Sequence, residues 1–320
     1  MKNLNYLLVL VFLISCNKNE TETPSENINY KQEMRNFVIG ISQYSKNINP
    51  NFAIIPQNGI ELVANDGSPN VPYLDAIDGN GQEDLNYGYE FDNEPTLTDK
   101  TAYLKSFLNI SKNNGNAILV TDYCSSIEKM TNSYALNSAN SYVSFAADQR
   151  NLNNIPIFPN TIVNENNNQI SSLSQAKNFL YLINPENFIS KSDFINAVNN
   201  TNYDVLIMDL YFKDGTIFSS SEIDALKIKE NGGKRLVISY MSIGEAEDYR
   251  YYWQSTWGNN KPIWLDALNQ DWPGNYKVKY WNKDWQKIIY GNDESYLKKI
   301  LDANFDGVYL DIIDAFEFYE

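Results

Sequence analysis

Phe305-Asp306-Gly307-Val308-Tyr309-Leu310-Asp311-Ile312-Ile313-Asp314-Ala315-Phe316 is the stretch on which the fold turns. Residues 307–310 form a short apolar run, entered through Asp-Gly and closed by a carboxylate. That pattern predicts a buried parallel strand with Asp311 at its carboxyl end. The sequence then runs only to Phe318-Tyr319-Glu320, too short for a full helix to follow the strand. At the opposite end, residues 32–44 carry Met34, Phe37, Val38 and Ile41 at helical spacing, with no strand ahead of them. The strand without a helix and the helix without a strand complement each other if the first helix packs after the last strand. Domain termini often lie close together, which makes such an order tolerable.

Working inward, apolar runs alternate with amphipathic ones, the rhythm of an α/β fold with parallel strands. Strands are expected at 52–56, 73–78, 117–121, 142–146, 179–183, 203–209 and 235–240, which with 307–311 makes eight. Helices are expected at 98–112, with Thr98 as N-cap, at 191–198 and at 294–303. A further helix starts at Ser219, with Glu222 in the capping-box position. Residues 160–174 are rich in Asn and Ser and read as a linker, and 241–292 form a long aromatic-rich excursion. Eight strands with intervening helices predict a (β/α)8 TIM barrel, circularly permuted, as a single domain over 30–320. Its halves would be 30–159 and 175–320.

The start of the chain has its own logic. Met1-Lys2-Asn3 precedes the apolar run 7–13, which is too short to span a bilayer and reads as a secretory signal. The run ends at Leu13-Ile14-Ser15-Cys16, which resembles a lipobox, so residues 1–16 are expected to be a lipoprotein signal peptide with Cys16 as the lipidated residue. Residues 17–29 are polar and read as a flexible tether. The expectation is an exported protein, lipid-anchored to a bacterial membrane, with the outer membrane favoured, and monomeric.

Composition narrows the chemistry. The chain has no histidine and two cysteines, which excludes Ser-His-Asp and Cys-His catalysis and His-ligated zinc. Acid–base work therefore falls to carboxylates, and no metal or organic cofactor is implied. Cys124, the second cysteine, reads as a small buried hydrophobe. The net charge of −15 argues against a nucleic-acid partner. It is compatible with solubility alone and equally with a cationic substrate.

Several long stretches resemble glycoside hydrolase family 114, the endo-α-1,4-polygalactosaminidases. They are 239–253 (Ser239-Tyr240-Met241-Ser242-Ile243-Gly244-Glu245 and onward), 272–281 (Trp272-Pro273-Gly274-Asn275 and onward) and 305–316. Pro56-Gln57-Asn58-Gly59 and residues 77–84 also resemble the family, where they follow the Asp311 strand instead of preceding it. The resemblance thus implies the same permutation as the unmatched terminal helix. It further implies a polysaccharide substrate, α-1,4-linked and containing galactosamine. Glycosidases need two carboxyl groups in different environments, one protonated and one ionised. The resemblance makes Asp311, at the end of the family's fourth strand, the nucleophile, and Glu83, after the sixth, the acid/base.

Asp84 and Asp78 compete with Glu83 in the same stretch, and Glu245 is its chief rival. Glu245, with Glu247 and Arg250 nearby, also suits an Arg–carboxylate pair that shapes its loop. Asp209, Tyr240, Gln57, Asn58 and Asp122 are candidates for holding sugar hydroxyls or an ammonium group, and Asp148 also falls at a strand end. Trp272, Tyr276 and Trp281 are candidate stacking faces or packing residues. Two other readings stand beside hydrolysis of this polymer. One is a non-catalytic polysaccharide-binding lipoprotein, and the other is a glycosidase for another amino sugar or an α-galactoside.

Overall fold

A computed structural model of the protein describes residues 28–320, so Cys16 and most of the expected tether lie outside the described residues. Asn29, placed by sequence in the tether, instead caps α1 (Tyr30–Ile48), its side chain accepting from the Gln32 N–H. The apolar stripe of α1 is fully buried at Met34, Phe37, Val38 and Ile41. Such side chains each contribute about 1.5–3 kcal/mol on leaving water.

Eight parallel strands carry the fold: β1 (Ala53–Pro56), β2 (Gly79–Glu83), β3 (Ala117–Tyr123), β4 (Val143–Ala147), β5 (Phe179–Tyr181), β6 (Val205–Met208), β7 (Leu236–Ser242) and β8 (Gly307–Asp311). They form two sheets, ordered β5-β6-β7-β8-β1 and β2-β3-β4. A parallel bridge between Gln57 and Gly81 joins β1 to β2, and the Asn58 N–H donates to the Gly81 carbonyl at 2.9 Å. At the far edges, Phe145 of β4 and Phe179 of β5 bring their rings to 5.6 Å. The chain is thus an α/β fold built on parallel strands. Besides α1, its helices of seven residues or more are α2 (Thr98–Asn113), α3 (Ile127–Ala139), α4 (Lys191–Asn199), α5 (Ser220–Leu226), α6 (Lys283–Ile289) and α7 (Tyr296–Asp302).

The Ser219–Glu222 capping box forms at the start of α5. Thr98 is not the cap of α2: Leu97 holds that position with no side-chain hydrogen bond, and Thr98 is the first helical residue. The expected strand at 73–78 is likewise absent. Asn70 caps a short helix, Val71–Leu74, with Pro72 in its first turn, and the strand begins only at Gly79. The excursion after β7 contributes a small antiparallel sheet of Glu245–Glu247, Asn275–Val278 and Leu265–Leu268.

Three aspartates mark the amino-terminal ends of the strands by one device. Asp78, Asp204 and Asp306 each directly precede a strand. Their carboxylates accept the backbone N–H of Ile54, Lys177 and Val237, at or near the start of a neighbouring strand, at 2.8–2.9 Å. Each also binds a lysine: Lys46, Lys229 and Lys227 respectively. The first helix packs where the last strand leaves off. Tyr30 stacks among Trp281 (5.0 Å) and Tyr319 (5.6 Å), the Tyr280 hydroxyl donates to the Tyr30 carbonyl, and Lys31 pairs with Glu320 at 3.4 Å. Among the described residues, no helix is long and apolar enough to cross a membrane.

Candidate active site

The carboxyl ends of β8, β1 and β2 lie side by side, and each delivers one polar side chain to the same point. Asp311 closes β8, Gln57 follows β1 and Glu83 closes β2. The Gln57 amide Nε2 donates to Glu83 Oε2 at 2.7 Å and to Asp311 Oδ1 at 3.0 Å. The two carboxylate oxygens therefore lie no more than 5.7 Å apart, the sum of those distances. Tyr181 of β5 fixes the amide, its hydroxyl donating to Gln57 Oε1 at 2.9 Å.

The chain turns sharply after each of the three. Asn58, Asp84 and Ile312 all take φ of +58°, the left-handed region that costs most for a β-branched residue such as Ile312. The turn brings the Ile312 N–H to Asp311 Oδ1 at 2.8 Å. A close approach sits beneath the pair: a Cβ on Gly81 would lie 2.0 Å from the Tyr309 hydroxyl.

The environments of the two carboxyls differ. Asp311 accepts from the Tyr240 hydroxyl at 2.7 Å and from the Ile312 N–H, while burial pushes its pKa up to about 7. Glu83 accepts from Gln57, from Asn58 Nδ2 at 3.1 Å and from the Tyr123 hydroxyl. Burial raises its pKa first and the Asp311 charge raises it further, against hydrogen bonds from Tyr123 and Asn58. Two close carboxyls cannot both ionise freely, and the repulsion falls on Glu83. The arrangement favours an ionised Asp311 beside a protonated Glu83.

Glu83 opens into a cleft of about 640 Å³ bounded by the β2–α2 loop, the start of α2 and the segment after β8. Glu61, Asp84, Glu90, Asp99, Asp314 and Glu317 line it, with Lys100 as the cation among its lining residues. Burial lifts Asp314 to about 6.

Other expected site residues are placed differently. Asp78 lies at the amino-terminal end of β2, occupied by Ile54 and Lys46, because the strand starts six residues later than its apolar run suggested. Asp122 is fully buried and turned toward α3. Its carboxylate accepts from Asn86, Tyr87, Ser133 and Asn137, leaving nothing to offer a sugar. Glu245 is held by Asn269 (2.9 Å) and Asn275 (3.3 Å) in the antiparallel sheet. The Arg–carboxylate arrangement expected there forms on neighbours instead: Arg250 grips Asp209 at 2.9 and 2.7 Å and Glu247 at 2.5 Å. Asp148 accepts from Asn154. Trp272 is exposed on a turn, Tyr276 stacks on Trp253 at 4.8 Å, and Trp281 packs against Tyr30 and Tyr319. Sequence reasoning missed Tyr123, Tyr181, Arg150 and Asp314, of which Asp314 stood in plain view three residues past Asp311.

The sequence model of Glycoside-hydrolase family GH114 matches residues 159–319, half of the chain. The chain belongs to family GH114. Asp311, Asp209, Tyr240 and Glu245 fall inside the matched segment, and Gln57, Asn58 and Glu83 precede it. Three curated relatives, all described as uncharacterized proteins, match shorter stretches. The relative from Methanocaldococcus jannaschii is 44% identical over 158 residues, 48% of this chain and 42% of its own length. Those from Thermotoga maritima and Deinococcus radiodurans are 38% and 37% identical, each over 38% of this chain and over 36% and 37% of their own. The chain thus spans less than half the length of the curated relatives it matches.

Proposed function

We propose that this GH114 protein is a retaining glycoside hydrolase acting on an α-1,4-linked, galactosamine-containing polysaccharide. One observation carries the reading: a single amide of Gln57 binds both Glu83 and Asp311, which keeps their oxygens within 5.7 Å. Retaining glycosidases hold their carboxyls about 5–5.5 Å apart, whereas inverting ones leave about 6.5–9.5 Å for a water. Asp311 attacks the anomeric carbon as Glu83 gives its proton to the departing glycosidic oxygen. Glu83, now ionised, takes a proton from water, and that water releases the sugar from Asp311. The Tyr240 hydroxyl and the Ile312 N–H orient the nucleophile. The acidic cleft beside Glu83 suits a polymer bearing free amines.

In the same reading the eight strands close as a barrel in permuted order. The Gln57–Gly81 bridge, the Phe145–Phe179 contact and the packing of α1 behind β8 support it. A family match confined to 159–319 fits as well, since a continuous match can follow only one half of a swapped order. Cys16 remains our proposed lipid anchor.

The test uses partly deacetylated galactosaminogalactan, with proton NMR reading the configuration of the first reducing ends released. The expected result is an α-anomer at first appearance and no product from Asp311→Asn or Glu83→Gln. A β-anomer appearing first would overturn retention. Folded protein that binds the polymer and releases nothing would make this a binding lipoprotein, and cleavage only of neutral α-galactosides would move the substrate.

A further inference from the structure

Arg150 lies just beyond β4, outside the trio of strands that carry Asp311, Gln57 and Glu83, yet it reaches back to the edge of the site. Its guanidinium sits 3.9 Å over the ring of Tyr123, the residue whose hydroxyl hydrogen-bonds Glu83. It is clamped there on several sides: two nitrogens bind Asp84 at 2.9 and 3.3 Å, Nε binds Asp92 at 2.7 Å, and Nη2 also donates to the Gly88 carbonyl at 3.0 Å. Gly88, at φ +114°, leaves room for the clamp, because a Cβ there would fall 2.1 Å from the Asp84 carboxylate. A bidentate fork and a face-on ring contact hold a planar cation in one orientation, which a lysine cannot reproduce.

We infer that Arg150 is a positioning residue for Glu83, acting through Tyr123: the cation over the ring makes that phenol a stronger donor and so favours the ionised carboxylate that proton donation leaves behind. The inference rests on reading Glu83 as the acid/base. The physical chain is short. A cation on a ring face withdraws electron density, which strengthens O–H donation and weakens the oxygen as an acceptor. While Glu83 carries its proton, the Tyr123 hydroxyl faces a neutral carboxyl oxygen, a weaker acceptor than a carboxylate. When the proton has gone to the leaving group, Tyr123 donates, and Arg150 favours that second arrangement. Besides the amide donors of Gln57 and Asn58, the other ionisable groups facing Glu83 either oppose ionisation or stay neutral. Asp311 and Asp314 lie toward β8, Asp84 follows β2, and Tyr181 and Tyr309 rise from beneath. Arg150 is the cation whose charge lowers the proton affinity of Glu83, against burial and Asp311.

The test is the pH dependence of Glu83, read in two ways on the folded protein. Carbon-13 carboxyl NMR, with the Glu83 signal assigned by its loss in Glu83→Gln, gives the titration without any substrate. The alkaline limb of kcat/KM gives it through catalysis. Arg150→Gln should raise both by about one unit, and Arg150→Lys by less. An Arg150 that merely supports the fold would lower the melting temperature or kcat and leave both midpoints in place, and that result overturns the inference. If no substrate is cleaved, the hydrolase reading fails while the NMR titration still decides the role of Arg150. If Arg150→Gln does not fold, Arg150→Lys is compared with and without Tyr123→Phe. A shift that disappears when the hydroxyl is gone supports action through the ring, and a shift of equal size in both backgrounds overturns it.

Discussion

Asp314 sits in the cleft beside Glu83 with burial holding its pKa near 6, and burial holds Asp84 and Asp311 near 7. Carboxyls raised above their unfolded values bind protons in the fold that the unfolded chain has released. Their favourable contribution is complete below about pH 4 and is lost as pH rises through 6–7. The melting temperature should therefore be higher at pH 5 than at pH 8, where these groups are forced to ionise together. Asp314→Asn should flatten that slope and stabilise the protein at pH 8 by about 1–3 kcal/mol, measured by urea denaturation at both pH values. A variant equally stable or weaker at pH 8 would mean that Asp314 is already compensated. Gain of stability on neutralising a residue is the usual mark of one kept for function.

The strands, as elements, are held to one register by what they carry. Gly81 in β2 is the clearest case, since Tyr309 of β8 occupies the space a methyl group would need. Gly81→Ala should cost about 2–4 kcal/mol in thermal unfolding, and activity should fall further than stability, because β2 carries Glu83 two residues on. Undiminished activity would show that Tyr309 can move aside. At this scale the sequence is legible where pattern and context agree. The buried run of β8 and the stripe of α1 were both readable from spacing. Residues 73–78 were not, because a short apolar run has no period to separate strand from helix, and Pro72 with the Asn70 cap decided for helix. In the site, Gln57, Asn58, Glu83 and Asp311 were legible through motif resemblance. Arg150 and Tyr123 carry no such signal. They meet only because β3 and β4 follow β2 around the sheet, and their contact is set by the fold.

For the molecule as a whole, charge and topology set the expectations. With an excess of acidic over basic residues and an acidic cleft, encounter with a polycation should be strongly steered. Raising salt from about 0.02 to 0.5 M, which shortens the Debye length several-fold, should weaken binding of the galactosamine polymer to Glu83→Gln at least tenfold. Binding indifferent to salt, measured by calorimetry, would assign recognition to the exposed aromatics instead.

The seam between α1 and the segment after β8 also bears on how the chain reaches its fold. The body of α1 docks on nearby chain: Arg35 donates to the Leu62 and Ala64 carbonyls, Ser42 donates to the Ala76 carbonyl, and Lys31 pairs with Glu61 at 2.6 Å. Tyr30 and the β1–β8 ladder instead find their partners in residues 280–320. Contacts of such long separation in sequence close slowly. During synthesis α1, β1 and β2 can therefore gather early, and what waits for the end of the chain is the open edge of β1, an unpaired strand edge until β8 arrives to cover it.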